Sequence, residues 1–130
     1  MGKNFIMRKT LIFVLVLMLI LSSVACSCGG SNSIVGTWET PNGKSTIEFF
    51  KDGTCNTDNL YGDAFSGASS LNTDNYAVGE NGKIVFSPGS YYEKTFYYKI
   101  IGNRLYLSGT KLTDEEIARI DGRAEYLVRK

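Results

Sequence analysis

Ile34-Val35-Gly36-Thr37-Trp38-Glu39-Thr40, then Pro41-Asn42-Gly43, then Ser45-Thr46-Ile47-Glu48-Phe49-Phe50-Lys51 and Asp52-Gly53-Thr54: this stretch decides the fold. Two short runs with strand character flank a turn dipeptide. In the second run Ile47 and Phe49 share one face, and Thr46, Glu48 and Phe50 share the other, the period-two pattern of a half-buried strand. Asn42-Gly43 is expected to form a type I′ turn, which needs positive φ at both central residues. Asp52-Gly53 is expected to be the next hairpin turn, leading into a third strand over Thr54–Thr57.

Downstream the rhythm breaks and then resumes. Asp58–Thr73 is rich in Gly, Ser, Asn and Asp and reads as a long loop with a short helical turn; in so small a domain such a loop is either functional, mobile or simply packed. Asp74–Val78 and Lys83–Phe86 flank Glu80-Asn81-Gly82, and Glu93–Ile101 and Arg104–Ser108 flank Gly102-Asn103. Both pairs read as hairpins. Thr113-Asp114-Glu115-Glu116 has capping-box form, with Thr at the cap and Glu three residues later. A helix of about two turns is expected there, ending at Asp121-Gly122, with Leu112, Ile117 and Ile120 inward. Ala124–Arg129 closes as a strand, with Tyr126 and Val128 on one side. About eight short strands joined by tight turns call for an all-β domain with one short helix. An antiparallel up-and-down meander, closed to a small barrel or left as a half-barrel, removes the most exposed edge. A β-sandwich is the competing architecture.

Upstream, Met1–Thr10 is basic and Leu11–Leu21 is uniformly apolar. The apolar run is short for a bilayer-spanning helix, which needs about 20 residues, and fits the core of an export signal. Met7-Arg8-Lys9 is a second candidate start. Ser23-Val24-Ala25-Cys26 resembles a bacterial lipobox, with Ser23 where Leu is usual. That resemblance implies cleavage after Ala25 and a diacylglyceryl thioether on Cys26, which would place the protein at the cell membrane, lipid-anchored on the extracytoplasmic face. Two acyl chains anchor stably where one does not. The competing readings are a short membrane anchor, and an ordinary signal with Cys26 incidental. The expected organisation is thus residues 1–25 as signal peptide, 26–33 as a lipidated flexible tether (Cys-Ser-Cys-Gly-Gly-Ser-Asn-Ser), and 34–130 as the β domain.

Composition excludes several functions. The chain has 130 residues and a formal net charge of +1, but the leader holds Lys3, Arg8 and Lys9 and no acid. Without it, 11 basic residues face 13 acidic ones, a net of −2. A weakly acidic domain with no basic patch is not expected to bind nucleic acid. There is no histidine, so Ser-His-Asp and Cys-His sites are ruled out. Cys55, the one cysteine within the domain, has no basic neighbour in sequence to lower its pKa. Asp58, Asp63 and Asp74 with nearby asparagines offer hard oxygen ligands, but not at EF-hand spacing. Glu39 and Glu48 on adjacent strands form a candidate carboxylate pair. No catalytic residue, metal or cofactor is assigned.

Val35-Gly36-Thr37-Trp38-Glu39, followed by Ile47-Glu48-Phe49-Phe50-Lys51-Asp52-Gly53-Thr54, resembles the opening of small lipocalin-like lipoproteins of Gram-positive bacteria, a family largely of unknown function. The resemblance is good over Ile34–Phe50 and loose beyond. It implies a fold signature at Gly36 and Trp38, with Trp38 closing one barrel end beneath an arginine, Arg129 or Arg104. The long loop departs from the pattern, falling after the third strand rather than the first. Aromatic residues are abundant, and Tyr97, Tyr98 and Tyr106 are candidates to line a ligand site. The expected function is non-enzymatic binding of a small apolar ligand or an envelope component. The alternative is a protein-interaction or structural module with a filled core and no pocket. Expected partners are membrane lipid through Cys26 and a small hydrophobic ligand or envelope protein.

Overall fold

The computed structural model describes residues 33–130. The expected signal peptide and Cys26, with the rest of the tether up to residue 32, lie outside the described residues. Eight antiparallel strands form a nearly closed barrel with one short helix: β1 Gly36–Glu39, β2 Thr46–Phe49, β3 Cys55–Asn56, β4 Tyr76–Val78, β5 Lys83–Phe86, β6 Lys94–Ile101, β7 Arg104–Ser108, α1 Asp114–Arg123 and β8 Leu127–Arg129. The sheet order is β3-β2-β1-β8-β7-β6-β5-β4. All strands consecutive in sequence therefore pair except β3 with β4, and β8 returns to β1 through Trp38↔Arg129 and Glu39↔Val128. The remaining seam, between β3 and β4, is bridged at Thr54↔Asn75. Two backbone bonds support it, Cys55 N–H to Asp74 O and Tyr76 N–H to Gly53 O, both 2.9 Å. This is the expected up-and-down meander curled into a nearly closed barrel, not the sandwich.

Alternation fills the barrel from every side. Trp38, Ile47, Phe49, Cys55, Tyr76, Ile84, Phe86, Phe96, Leu105, Leu107 and Leu127 are buried inward. Rings meet edge to face across the interior: Phe49–Tyr76 at 4.9 Å, Phe86–Phe96 at 5.7 Å and Phe65–Phe96 at 5.9 Å between centroids. Such offset contacts add roughly 0.5–1.5 kcal/mol each beyond area burial.

The sequence expectations need three corrections. Asn42-Gly43 is not a type I′ turn: only Gly43 has positive φ (70°), and Thr40 N–H bonds Ser45 O around a four-residue loop. Pro41 is the reason, because its ring fixes φ near −65° and suits the first central position of a type I turn. Consecutive positive φ occurs instead at Asn81-Gly82 (59° and 70°), within the three-residue loop between Gly79 and Lys83. Secondly, the helix does not end at Asp121-Gly122. It runs to Arg123 and stops at Ala124, whose left-handed backbone (φ 52°) lets the N–H groups of Ala124 and Glu125 cap Asp121 and Ile120 carbonyls. Its start is as expected, with the Thr113 side chain accepting from Glu116 N–H at 3.3 Å. Ile120 is buried, while Leu112 and Ile117 are half-buried. Thirdly, the strands at Thr54–Thr57 and Ala124–Arg129 are shorter than expected, Cys55–Asn56 and Leu127–Arg129. The long loop is as expected in containing a short turn, a 3-10 segment at Ala68–Ser70, and of the outcomes open to it the packed one holds: it buries Ala64, Phe65, Ala68 and Leu71.

The helix lies over the outer face of β7, so that strand is buried on both sides. Tyr106 and Ser108 point outward yet are covered. The Tyr106 hydroxyl donates to Asp121 at 2.8 Å, and the Ser108 hydroxyl to Glu116 at 3.1 Å. Arg119 chelates Glu116 from within the helix, which holds that carboxyl below its usual range.

Candidate functional site

The barrel has two unlike ends. At the end where Ser33 and Ile34 enter, Trp38 is fully buried and its indole N–H donates to Ile34 O at 2.8 Å. The Arg129 guanidinium lies 4.2 Å above the Trp38 ring. It also donates to Val35 O at 3.1 Å and Ser33 O at 2.7 Å, so one side chain stacks on the indole and holds the incoming chain. Gly36 makes room for it. Its φ is 131°, and a Cβ there would sit 3.2 Å from an Arg129 guanidinium nitrogen. The backbone conformation and the close approach each favour glycine. Arg129 thus takes the closing position over Trp38. Arg104 stacks instead on Tyr126 at 4.2 Å, on the outer side near α1, and pairs with Asp121 at 3.2 Å.

At the opposite end the loop between β3 and β4 folds into the mouth. Phe65 meets Phe96, and Gly67 (φ 95°) lies so close that a Cβ would be 3.0 Å from the Phe96 ring. The loop is pinned by Thr46 N–H to Asn59 O at 2.9 Å and by Tyr61 N–H to the buried Ser45 hydroxyl at 3.1 Å. The loop from Ser87 to Glu93 shares this end. Tyr91 is 96% exposed and Tyr92 75%, their rings edge to face at 5.4 Å.

Between these loops runs a seam of hydroxyls. Ser87 donates to Thr73 at 2.6 Å, Thr73 to Asn75 O at 3.0 Å, and Thr57 to Thr73 O at 3.0 Å. Two clefts flank it. One, of about 240 Å³, is lined by Leu71 and Phe86 at its base and by Ser70, Thr73, Tyr92 and Lys94 around it. The other is wider and polar, about 570 Å³, and includes Cys55, Asp58 and Asp74.

The tyrosines singled out in the sequence do not converge. Tyr98 faces inward against the core, and Tyr97 faces outward under the Lys83 ammonium, 5.7 Å from its ring centre. Tyr106 is beneath α1. Glu39 and Glu48 are not directly opposite each other, since Glu39 faces Thr46 and Glu48 faces Thr37. Burial pushes the Cys55 thiol up to about 11, with Asp74 adding to the effect, which leaves little thiolate at neutral pH. No cluster of three or more metal-ligating side chains occurs among the described residues. Sequence reasoning missed the Tyr91-Tyr92 pair as a feature distinct from the strand tyrosines. The signal was available: both lie in a turn, outside any period-two run, where no face of a sheet can hide them.

Fold and site together define a small closed β-barrel with a sealed entry end and a loop-filled far end. Comparison with family models, curated proteins and solved structures finds no match.

Proposed function

We propose that this is a lipid-anchored extracytoplasmic protein whose lipocalin-like barrel serves as a filled scaffold and presents its far end to a partner in the cell envelope. One observation carries this reading: the interior is occupied by side chains, while two adjacent tyrosines stand in solvent beside an apolar-based cleft. A barrel packed by Trp38, Phe49, Phe86 and Phe96 leaves an enclosed apolar ligand little to bind. Exposed tyrosines carry an apolar body and a hydroxyl on only two torsions, which suits them to recognition surfaces. The Trp38–Arg129 closure and Gly36 support kinship with lipocalin-like lipoproteins, and Ser23-Val24-Ala25-Cys26 supports the anchor.

Native mass spectrometry of the detergent-extracted protein tests this. The expected spectrum shows the acylated chain, alone or with a protein partner, and the partner adduct is lost in Tyr91→Ala/Tyr92→Ala at unchanged circular dichroism. A stoichiometric small apolar molecule surviving in the double variant would refute the filled-scaffold reading.

A further inference from the structure

We infer that the entry end of the barrel rests on the bilayer, seated by a rim of apolar residues; this builds on the lipid anchor proposed above. Val35, Phe50, Val78 and Ile101 are each between 37 and 48% exposed. All four belong to the same end. Val35 precedes β1, Phe50 opens the β2–β3 turn, Val78 ends β4 before the β4–β5 turn, and Ile101 ends β6 before the β6–β7 turn. Each chain entry or hairpin there contributes one large apolar side chain. A single exposed apolar residue needs no explanation, but one on every turn at one end marks an interaction surface.

The β2–β3 turn that carries Phe50 is braced. Phe50 O accepts from the Tyr76 hydroxyl at 2.8 Å, and Asp52 accepts from the N–H and hydroxyl of Thr54 at 3.0 and 2.6 Å. Phe50 is therefore displayed on a braced hairpin. Lys51, Lys83 and Lys130 lie at the same end, where long aliphatic stems suit a headgroup layer. Asp52 and Glu80 lie there too, so apolar contact, not charge, would drive seating.

Tether length selects the occupant. Cys26 and Ser33 are seven residues apart, which at about 3.5 Å per residue is a reach of roughly 25 Å. The eight residues of β6 span about the same length at 3.3 Å each. An anchored Cys26 thus keeps the entry end close to the membrane, whereas Tyr91 and Tyr92 could touch it only with the tether taut along the whole barrel. The rim that must be near the bilayer is the rim that carries the apolar side chains.

The test uses the full-length acylated protein in phosphatidylcholine vesicles with and without brominated acyl chains. Tryptophan is introduced by Phe50→Trp, Ile101→Trp or, at the far end, Tyr91→Trp, and the wild-type signal of buried Trp38 is subtracted. Phe50→Trp and Ile101→Trp are expected to shift to the blue on vesicles and to lose intensity in brominated lipid, with Tyr91→Trp unchanged. Slowed amide exchange of residues 50–53 in the unmodified chain on vesicles gives the same answer without substitution. Protein that pellets with vesicles but shows neither quenching nor protection would overturn the seat and leave the anchor standing. Quenching at Tyr91→Trp as strong as at Phe50→Trp would overturn the orientation. Failure to pellet at all would sink the anchor, and the seat with it.

Discussion

Replacing Arg129 by Ala isolates the closure of the entry end. The side chain makes three contacts that the variant loses: the stack on Trp38 at 4.2 Å and the two bonds to Val35 O and Ser33 O. Arg129 is half-buried, so the stack is worth about 1 kcal/mol. A bond from a charged donor contributes about 1.5–3 kcal/mol when both partners are desolvated. Here the carbonyls belong to exposed residues and regain water, so about 0.5–1 kcal/mol apiece is reasonable. The total is about 2–3 kcal/mol, well short of the ~5–15 kcal/mol that holds a domain folded. With a urea m-value of about 1.5 kcal/mol per molar, the midpoint should fall by about 1.3–2 M. The assay is urea unfolding of a soluble chain lacking residues 1–25 and carrying Cys26→Ser. Trp38, the sole tryptophan, is the reporter. Its native emission should move to the red as water reaches the indole edge. Arg129→Lys keeps the charge but not the planar stack or the forked donor, and should recover less than half of the loss. An Arg129→Ala midpoint within about 0.3 M of wild type, with unchanged emission, would refute the closure as a stabilising device.

Cys55 provides a pH signature. Its folded pKa is raised to about 11, so its thiol stays protonated in the barrel while the unfolded thiol ionises near its ordinary 9.0. The unfolded state binds fewer protons in that window, so stability should be intact below pH 9 and fall between about pH 9 and 11. Urea midpoints across this range should decline more steeply for wild type than for Cys55→Ala; equal slopes would contradict the burial. Phe65→Ala should withdraw the loop's main contact with Phe96, with a cost of about 3–5 kcal/mol if the mouth cannot collapse. Dye binding to the exposed interior should rise while the β-sheet signal persists; no added dye binding would mean that the loop does not plug the barrel.

The barrel was legible because its hairpins carry two independent signals, alternation and turn chemistry, and both point to the same pairs. Arg104–Ser108 and Lys83–Phe86 fall where the alternation puts them. Reading failed where a local rule met a stronger one. Asn42-Gly43 has the composition of a tight turn, but Pro41 has no N–H to close a hairpin pair before it and takes the first central position of a turn over Thr40–Gly43 instead. Gly122 looks like a helix stop, yet the helix passes through it because Ala124 takes the left-handed position instead. The plug was legible only in part: Ala64, Ala68 and Leu71 keep helical spacing, which marks a turn, but nothing in the Gly- and Ser-rich sequence around them says that they and Phe65 fold into the barrel, and only the tertiary fold gathers them. The tyrosine cluster could have been doubted at once, since Tyr97 and Tyr98 are consecutive in a strand and must face opposite ways. That Tyr106 would be covered depended on α1 packing over β7, which no strand pattern announces.

The pairing of β8 with β1 also sets an order of events. Trp38 and Arg129 stand at nearly opposite limits of the domain, and the bonds from Arg129 to Ser33 and Val35 span 96 and 94 residues. Contacts of such separation form late, because the chain between them must already be arranged. Synthesis runs from the N-terminus, so the first strand waits unpaired on one edge until β8, Leu127–Arg129, is available. A chain stopped before Leu127 would carry every hairpin but could not close. The final residues thus work as a latch, and a premature stop there would yield an open sheet with its tryptophan uncovered, a substrate for quality-control proteolysis.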